Sequence, residues 1–423
     1  MHEGVSVLSI RQTRPASTLF VNGLVIDGLG GHQERESVLV DGDVVAAVGS
    51  AAEAARNTAA RVIDLGGRTL MPGMIDCHAH PGEGDYDPAL HDEPLGLAAL
   101  RTVQALQRTL YAGVTTVRSA GSREYVDVDA RDAMRDGVFL GPRLVCAGRA
   151  ITPTGGHMHD HGAIEANGVD EVRTAVRRIV KRGADAVKLA ISPGAATQGR
   201  SVTLAQFRDE EVQAAVDETH KAGLRVLTHS ISLASIRQGV EAGVDSIDHG
   251  CYLDEEQALK MKAKGISFVP TFGPFYYYVT ERFAEPWRIE RAEQVTVHHL
   301  NAFKIAMEVG VPIALGSDCG MPSRFPNGRN ALEFVLYARN GMPNEQVLVA
   351  GTSSSAKLLG LECIVGSIEP GKQADLVVLD GNPLDDMQTV LDGVSLVMKG
   401  GTIVRDDHAD LGGRTDVDYH AAV

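Results

Sequence analysis

The fold is decided by a stretch that reads VRTAVRRIVKRGADAVKLAIS, residues 172–192. Its first half has apolar residues at Val172, Val176 and Ile179, a spacing that places all three on one face of a helix. Gly183 then ends the helix, because glycine readily adopts the left-handed backbone found at helix C-termini. The short apolar run AVKLAIS that follows predicts a buried strand. The stretch is therefore one helix–strand unit.

The same unit recurs along the middle of the chain. A glycine ends the predicted helix before each short apolar run at Gly113, Gly183, Gly223, Gly243, Gly265 and Gly310. With LMPGMIDCHAH and PRLVCAG the runs number eight; the other six are VTTVRS, AVKLAIS, RVLTHS, DSIDHG, SFVPTF and PIALGSD. Strands that alternate with helices predict a parallel sheet, and eight of them predict a closed barrel. The predicted fold class is α/β, a (β/α)8 TIM barrel over residues 71–364.

The two ends of the chain have a different pattern. Residues 18–70 contain LFVNGLVIDG and SVLVDGDVVAAVG, and residues 365–423 contain GSIEPGKQADLVVLDGNP and VSLVMKGGTIV. Asn-Gly, Asp-Gly and Gly-Gly pairs between apolar runs favour hairpins. We therefore predict one small β-sandwich domain built from both segments, preceded by an N-terminal extension over residues 1–17.

Charge and composition argue against several classes of protein. The formal net charge of −15 at pH 7 would repel a phosphate backbone, so no nucleic-acid partner is expected. No apolar stretch approaches the roughly 18 residues of a membrane span, and residues 1–17 lack an apolar signal core. We therefore expect a cytoplasmic protein without membrane contact. The five cysteines are widely spread without a CxxC pair, and buried free thiols are expected for Cys77, Cys146, Cys251, Cys319 and Cys363.

The sequence CHAH, residues 77–80, carries two histidines at the predicted carboxyl end of the first barrel strand. Strand side chains alternate, so His78 and His80 share one face and can bind one metal ion. An HxH pair alone is weak, but barrel enzymes keep their active sites at this end of the strands. Alternation also places Lys188 on the inner side of AVKLAIS. A lysine buried there requires a partner.

Three further strands end in a residue that can bind a metal. His229 ends RVLTHS, His249 follows SID, and Asp318 ends IALGSD. One such residue is more often a satisfied core residue than a ligand. A set at the ends of strands one, four, five, six and eight is difficult to explain by packing alone. The set predicts a metal site with imidazole and carboxylate ligands.

These residues, with the segments MPGMIDCHAH, YAGVTTVRSAG, DHG, GSD and GSIEPGKQADLVVLDGNPL, resemble the amidohydrolase superfamily over nearly the whole chain. Within it the chain is most similar to the imidazolonepropionase-related group, which includes Xaa-Pro dipeptidases and amide, urea and carbamate hydrolases. The resemblance implies a metal-dependent hydrolase that cleaves an amide-type C–N bond of a small substrate.

The resemblance further implies two divalent metal ions, most commonly Zn²⁺, with Mn²⁺ or Co²⁺ as alternatives. By that resemblance, the residues that would hold the ions are His78, His80 and Asp318 for one, His229 and His249 for the other, and Lys188, carboxylated by CO₂, as a bridge. A hydroxide that bridges the two ions would attack the carbonyl. Asp318 would be the catalytic base that passes the proton to the leaving nitrogen.

Several residues outside the ligand set are candidate substrate contacts. The resemblance implies that His157, in the loop TPTGGHMHDHG, contacts the substrate carbonyl. His159 and His161 in the same loop are either solvated or a weak extra metal site. Tyr252 resembles a substrate-contacting position and is otherwise a lid or core tyrosine. The role of Arg118 stays open, because a serine follows it where relatives often have an acid.

An aromatic segment between Phe272 and Trp287 follows the seventh predicted strand. Rings at the end of a barrel strand can form an apolar wall for a ligand, so Tyr276, Tyr277 and Tyr278 predict contacts to a bulky apolar or aryl substrate. For any single ring, packing onto neighbouring helices is the alternative.

Two other functions stay open at this point. A mononuclear deaminase or cyclic-amide hydrolase of the same superfamily would not require Lys188. A non-enzymatic scaffold would have kept the barrel and lost the metal. An acyl-enzyme route has little support because GxSxG is absent. The expected partner is a small-molecule substrate, and relatives are often homo-oligomers.

Overall fold

The computed structural model describes residues 17–82, 93–195, 197, 199–282, 284–320 and 325–408. Most of the predicted N-terminal extension, the end of the predicted β-domain and Phe283 of the aromatic segment lie outside these residues. The strands are β1 Thr18–Ile26, β2 His32–Asp41, β3 Val44–Val48, β4 Arg61–Asp64, β5 Thr69–Pro72, β6 Met74–Ala79, β7 Val114–Ser119, β8 Arg143–Val145, β9 Ile151–Thr152, β10 Ile164–Glu165, β11 Ala186–Ala190, β12 Arg225–Ser230, β13 Ser246–His249, β14 Ser267–Val269, β15 Leu376–Leu379, β16 Val394–Lys399 and β17 Thr402–Asp406.

Helices follow most of the strands of the middle segment. They are α1 Ser50–Glu53, α2 Leu95–Tyr111, α3 Val126–Arg135, α4 Gly168–Arg182, α5 Asp209–Lys221, α6 Leu233–Ala242, α7 Glu255–Lys264, α8 Gly273–Tyr276, α9 Pro286–Val309, α10 Leu332–Arg339, α11 Asn344–Val349, α12 Ser355–Leu359 and α13 Gln388–Asp392. Two π-helical turns, Tyr277–Glu281 and Ala350–Ser354, directly follow α8 and α11. This alternation confirms the α/β class.

Helix α4 forms as the apolar spacing predicts. Asp170 and Glu171 lie in its first turn, where negative charge interacts favourably with the helix dipole. Val176 and Ile179 are buried and share one core cluster with the outer residues of β11. Gly183 ends the helix with a left-handed φ of 87°.

One mixed sheet contains strands from both ends of the chain. Its order is β17-β16-β15-β5-β1-β2-β3, with β4 paired to β1. Strand β5 joins the two segments, because it pairs parallel to β1 and antiparallel to β15. A separate core cluster lies on this sheet and includes Phe20, Val38, Leu376 and Met398.

The middle of the chain forms two parallel sheets, which carry seven of the eight predicted strands. Their orders are β6-β7-β8 and β10-β9-β11-β12-β13-β14. The two faces of β11 differ as alternation predicts. Val187, Leu189 and Ile191 join the large core with the helices, whereas Ala186 packs in a small inner cluster with Leu227. Lys188 therefore shares its face with small residues.

The last predicted strand, PIALGSD, is not a regular strand, so this part of the prediction was wrong. Pro312 has no N–H to donate, and the backbone turns left-handed at Asp318, with φ 56°. The segment is still bound to strands on both sides, through parallel bridges between Phe268 and Ile313 and between Ala79 and Cys319. The seventh predicted strand, SFVPTF, is regular only over β14, because Pro270 also lacks an N–H.

Four of the five cysteines are buried free thiols, as predicted. Cys363 is exposed, so the prediction was wrong there. It lies in an irregular turn after α12, where the chain leaves the helical layer. Within the described ranges no helix is both long and apolar enough to cross a membrane.

Candidate metal centre

His78, His80 and Asp318 converge at the carboxyl end of β6. Each offers one possible ligand atom, and these atoms lie within 4.8 Å of one another. Nε2 of His78 is 3.5 Å and Nε2 of His80 is 3.4 Å from Oδ1 of Asp318. The His78 side chain is buried, whereas those of His80 and Asp318 are 15% and 18% exposed. The group is therefore mostly buried, with some solvent exposure at His80 and Asp318.

The backbone explains why these three side chains meet. In β6 the alternation of side chains places His78 and His80 on the same face, as the sequence predicts. The N–H of Asp318 donates to the carbonyl of His78 at 2.6 Å, which ties the two segments together. The left-handed turn at Asp318 then directs its carboxylate toward both imidazoles.

His229 and His249 lie beside this group. The ring of His249 is 4.9 Å from that of His78 and 4.2 Å from that of His229, measured between centroids. Oδ2 of Asp318 is 3.9 Å from Nδ1 of His249. His249 also has a left-handed backbone, with φ 71°, at the end of β13. Five of the six predicted metal-binding side chains are thus brought together by the ends of three strands and by the irregular 312–318 segment.

Lys188, the sixth, is 1% exposed and lies in the same cluster. Its Nζ is 3.4 Å from Nε2 of His78. Burial lowers the pKa of the Lys188 amine, and burial raises the pKa of the Asp318 carboxyl. Both shifts arise because a charged group loses its hydration in this site.

The histidines are neutral and direct a ring nitrogen with a free electron pair into the cluster. Burial lowers the pKa of His78, His229 and His249 well below the usual range, and that of His80 to about 3. Nε2 of His229 and Nε2 of His249 are buried and have no hydrogen-bond partner among the described residues. Buried nitrogens of this kind are costly unless something binds them, and a metal ion fits the donor set of imidazole and carboxylate.

Hydrogen bonds fix which nitrogen of His249 is unprotonated. Oγ1 of Thr271 donates to the carbonyl of Pro270 at 2.5 Å, so toward Nδ1 of His249, 2.6 Å away, it acts as the acceptor. The ring proton of His249 therefore lies on Nδ1, and Nε2 retains its electron pair. A metal-binding histidine has this arrangement.

Asp248 orients the ring of His78 in the way that Thr271 orients the ring of His249. The sequence analysis did not identify Asp248. Its Oδ2 accepts from Nδ1 of His78 at 2.7 Å and from Arg118 at 3.0 Å. Its Oδ1 accepts from Ser246 at 2.6 Å. The role that the sequence left open for Arg118 is thus clear in structural terms, because Arg118 pairs with the buried acid that orients His78.

Asp76 of β6 links its own strand to the segment that carries Asp318. Its Oδ1 accepts the N–H groups of His78 and Ser317, both at 3.0 Å. Its Oδ2 accepts from the hydroxyl of Ser317 at 2.5 Å and from Asn330 at 2.7 Å. Burial raises the pKa of the Asp76 carboxyl, and these four donated hydrogen bonds oppose that shift because they favour the ionised form.

His157 lies at the edge of the cluster, in the loop after β9. Its ring is 4.1 Å from that of His229, between centroids, and it is buried. Burial lowers its pKa to about 3. His159 and His161 in the same loop make local contacts, with the carbonyl of Gly156 at 2.9 Å and with Asp160 at 2.6 Å.

The predicted aromatic contacts occupy different environments. Tyr276 and Tyr277 are half-buried, and the ring of Tyr277 stacks on Phe325 at 5.0 Å. Tyr278 is 3% exposed, with the guanidinium of Arg288 over its ring at 5.9 Å. Tyr252 is half-buried and stacks on His298 of α9 at 4.5 Å.

Comparison with known proteins agrees with this geometry. The sequence model of the Amidohydrolase family matches residues 69–404, more than half of the chain. The chain belongs to the amidohydrolase family. It is 29% identical over 427 residues to ochratoxinase of Aspergillus niger, across 92% of this chain and 86% of that protein. It is 28% identical over 395 residues to imidazolonepropionase of Rhizorhabdus wittichii, across 84% of this chain and 90% of that protein.

A solved structure of a Xaa-Pro dipeptidase with methionine bound in its active site is also similar. It aligns with a TM-score of 0.83 and 33% identity, across 92% of this chain and 100% of that chain. The predicted superfamily and the predicted group within it are confirmed. The protein is a hydrolase that acts on carbon–nitrogen bonds of the amide type. Metal binding is typical of amidohydrolases, and His78, His80 and Asp318 form a candidate metal site.

Proposed function

We propose that this amidohydrolase uses two divalent metal ions to hydrolyse an amide, dipeptide, urea or carbamate bond in a small substrate with an apolar or aryl group. The observation that carries the proposal is the cluster of six buried or nearly buried side chains, in which Nε2 of His229 and of His249 lack hydrogen-bond partners among the described residues. The ochratoxinase and Xaa-Pro dipeptidase similarities favour the same class of substrate.

The ligand assignment follows from the contacts of each side chain. His78, His80 and Asp318 would hold one ion, because their ligand atoms lie together. His229 and His249, on the neighbouring strands, would hold the other. Lys188 would join the two sets as a carbamate, formed when its neutral amine adds to CO₂ and releases one proton. Its position 3.4 Å from His78 and the burial that disfavours its ammonium form support this role.

Bound ions would supply Lewis acidity and lower the pKa of water from about 15.7 toward about 7. Zn²⁺ suits the imidazole and oxygen ligands, with Mn²⁺ and Co²⁺ as alternatives. In the proposed reaction His157 donates a hydrogen bond to the carbonyl oxygen of the substrate. Asp318 accepts the proton of the attacking water and returns it to the leaving nitrogen.

We also infer that the parallel sheets close into the predicted (β/α)8 barrel, with the mixed sheet as part of the predicted small β-sandwich domain. The bridges of the 312–319 segment to β14 and to β6 support closure. The small-molecule substrate and a homo-oligomeric assembly belong to the same proposal. In such a barrel the metal centre and the aromatic segment both lie at the carboxyl ends of the strands.

Metal content tests the two-ion proposal. Protein prepared with zinc or manganese in the presence of bicarbonate is expected to retain about two metal equivalents per chain. Elemental analysis of dialysed protein measures this directly. A hydrolysis screen of Xaa-Pro dipeptides, N-acyl amino acids, ochratoxin, phenylureas and carbamates accompanies it. Active enzyme with clearly one equivalent would support the mononuclear deaminase instead, and protein with none would support the scaffold.

The aromatic segment provides a test of substrate preference. Tyr276→Ala and Tyr277→Ala are each expected to lower kcat/KM for an aryl substrate more than for a small aliphatic analogue. The difference between the two losses corresponds to about 0.5–1.5 kcal/mol of transition-state stabilisation. Tyr278→Ala should act in the same direction with an added loss of stability, because that ring is buried. The phenylalanine variants are the matched controls, since they keep the ring. Equal losses on both substrates in folded protein would remove these tyrosines from the binding site.

A further inference from the structure

The ring of His157 is held in one orientation by its surroundings. A Cβ added to Gly194 would overlap the ring, so the backbone after β11 lies directly against it. The ring of His229 packs on it at 4.1 Å, between centroids. The N–H of His157 donates to the amide oxygen of Gln206 at 2.9 Å, and the amide nitrogen of Gln206 donates to the carbonyl of Ala190 at 3.0 Å. His157 is thereby fixed to the strand that carries Lys188.

Thr197 supplies the hydrogen bond that decides which ring nitrogen of His157 carries the proton. Its Oγ1 is 3.0 Å from Nδ1 of His157 and accepts the N–H of Gly194 at 3.1 Å. The hydroxyl proton has one acceptor among the described residues, and that acceptor is Nδ1. If Nδ1 were protonated instead, the hydroxyl would accept two hydrogen bonds and its own proton would have no acceptor within the part of the chain that the structure describes.

We propose that Thr197 is a positioning residue that donates to Nδ1 of His157 and so keeps the ring proton on Nε2. The inference deepens the proposed function, because Nε2–H is then the donor to the substrate carbonyl. A ring with the opposite tautomer would present an electron pair to the carbonyl oxygen and would repel it.

Arg291 of α9 connects this arrangement to the aromatic segment. Its guanidinium donates to the carbonyl of Thr197 at 2.7 Å and to that of Ala195 at 3.3 Å. The guanidinium also lies over the ring of Trp287, 5.1 Å from the centroid. Arg291 thus connects the backbone of Thr197 to Trp287 at the end of the aromatic segment. Through Arg291, the loop that holds His157 is therefore connected to the aromatic segment that is proposed to contact the substrate.

The test uses full-length protein that is labelled with ¹⁵N-histidine and loaded with zinc, without substrate. Long-range ¹H–¹⁵N correlation spectra distinguish the two tautomers, and His157→Gln assigns the signals by their loss. The wild type should show His157 protonated on Nε2. Thr197→Val removes the hydroxyl at nearly constant shape and should shift the ring to the Nδ1–H form or to a mixture, whereas Thr197→Ser should preserve the wild-type pattern.

Thr203→Val is the matched control. The hydroxyl of Thr203, in the same loop, is exposed and lies 2.8 Å from that of Ser201. This variant should leave the His157 signals unchanged. Arg291→Met should shift the His157 signals in the same direction as Thr197→Val but by less. The double variant should show the same His157 tautomer signals as Thr197→Val alone, since both substitutions act through one hydroxyl.

A wild-type ring protonated on Nδ1, or an unchanged tautomer in Thr197→Val, would overturn the inference. Because the spectra need no substrate, failure of the whole hydrolysis screen would count against the proposed function and not against the role of Thr197. With an active substrate, Thr197→Val should lower kcat about 3- to 10-fold with little change in KM, and Thr197→Ser should restore it. A loss of thermal stability with unchanged tautomer and kcat would assign Thr197 a structural role only.

Discussion

Replacement of Lys188 by alanine is expected to remove one of the two metal ions and to lower kcat/KM by more than about 100-fold. The side chain is 1% exposed and its Nζ is 3.4 Å from Nε2 of His78, so its removal takes away the nitrogen on which the proposed carbamate would form. Without the carbamate, the ligand set of the second ion would be reduced to His229 and His249. Two neutral imidazoles neutralise none of the charge of a divalent cation.

Chemical rescue separates loss of the bridge from loss of the fold. Lys188→Ala leaves a space between small neighbours, Ala186 and Ala190, which formate or acetate can enter to supply the missing carboxylate. We therefore expect formate or acetate to restore part of the metal content and of the activity. Lys188→Met is the matched control, because its side chain fills the space and excludes the acid, so it should not be rescued. Full activity with two ions in Lys188→Ala would contradict the carbamate proposal.

Regular geometry accounts for the part of the site that the sequence predicts. Alternation along a strand is sufficient to place His78 and His80 together and to direct Lys188 inward, and the structure agrees on all three. The end of an apolar run in the repeating helix–strand unit then identifies His229, His249 and Asp318, although the run that ends at Asp318 is not a regular strand. These inferences need only the period of a strand and the parallel order of the sheet.

Asp248, which the sequence analysis did not identify, depends on irregular backbone at its neighbour His249. Asp248 and His249 are adjacent, so alternation would place them on opposite faces. The left-handed backbone at His249 turns its ring toward the other histidines and lets both side chains serve one site. Left-handed geometry is uncommon for a non-glycine residue, and a single sequence gives no sign of it. The irregular 312–318 segment was predicted as a strand for the same reason.

Contacts between loops that are distant in sequence could not be predicted from the sequence either. Thr197 meets His157 across 40 residues, and Arg291 meets Thr197 across 94 residues. Each hydrogen bond depends on how loops from different units lie against one another, which no local pattern encodes. The sequence therefore predicted all six side chains of the cluster and little of what orients them.

Asp318→Asn is expected to retain most of the metal and to lower kcat about 100- to 10,000-fold. An amide keeps an oxygen that can face His78 and His80, but it is a very poor proton acceptor at neutral pH. Asparagine is also the appropriate replacement for the backbone, because Asp318 has φ 56° and asparagine tolerates that left-handed conformation better than most residues. Elemental analysis, thermal melting and steady-state kinetics on the same preparation separate metal loss, misfolding and loss of the base.

Asp318→Ala is the matched comparison, since it removes the ligand atom and places a residue poorly suited to the left-handed backbone at the same position. It should lose metal and stability together, whereas Asp318→Asn should lose turnover with both largely preserved. The N–H of residue 318 can still donate to the carbonyl of His78 in either variant, so the register of the two segments is held constant in the comparison. Unchanged kinetics in Asp318→Asn would exclude Asp318 as the base and would leave it as a metal ligand alone.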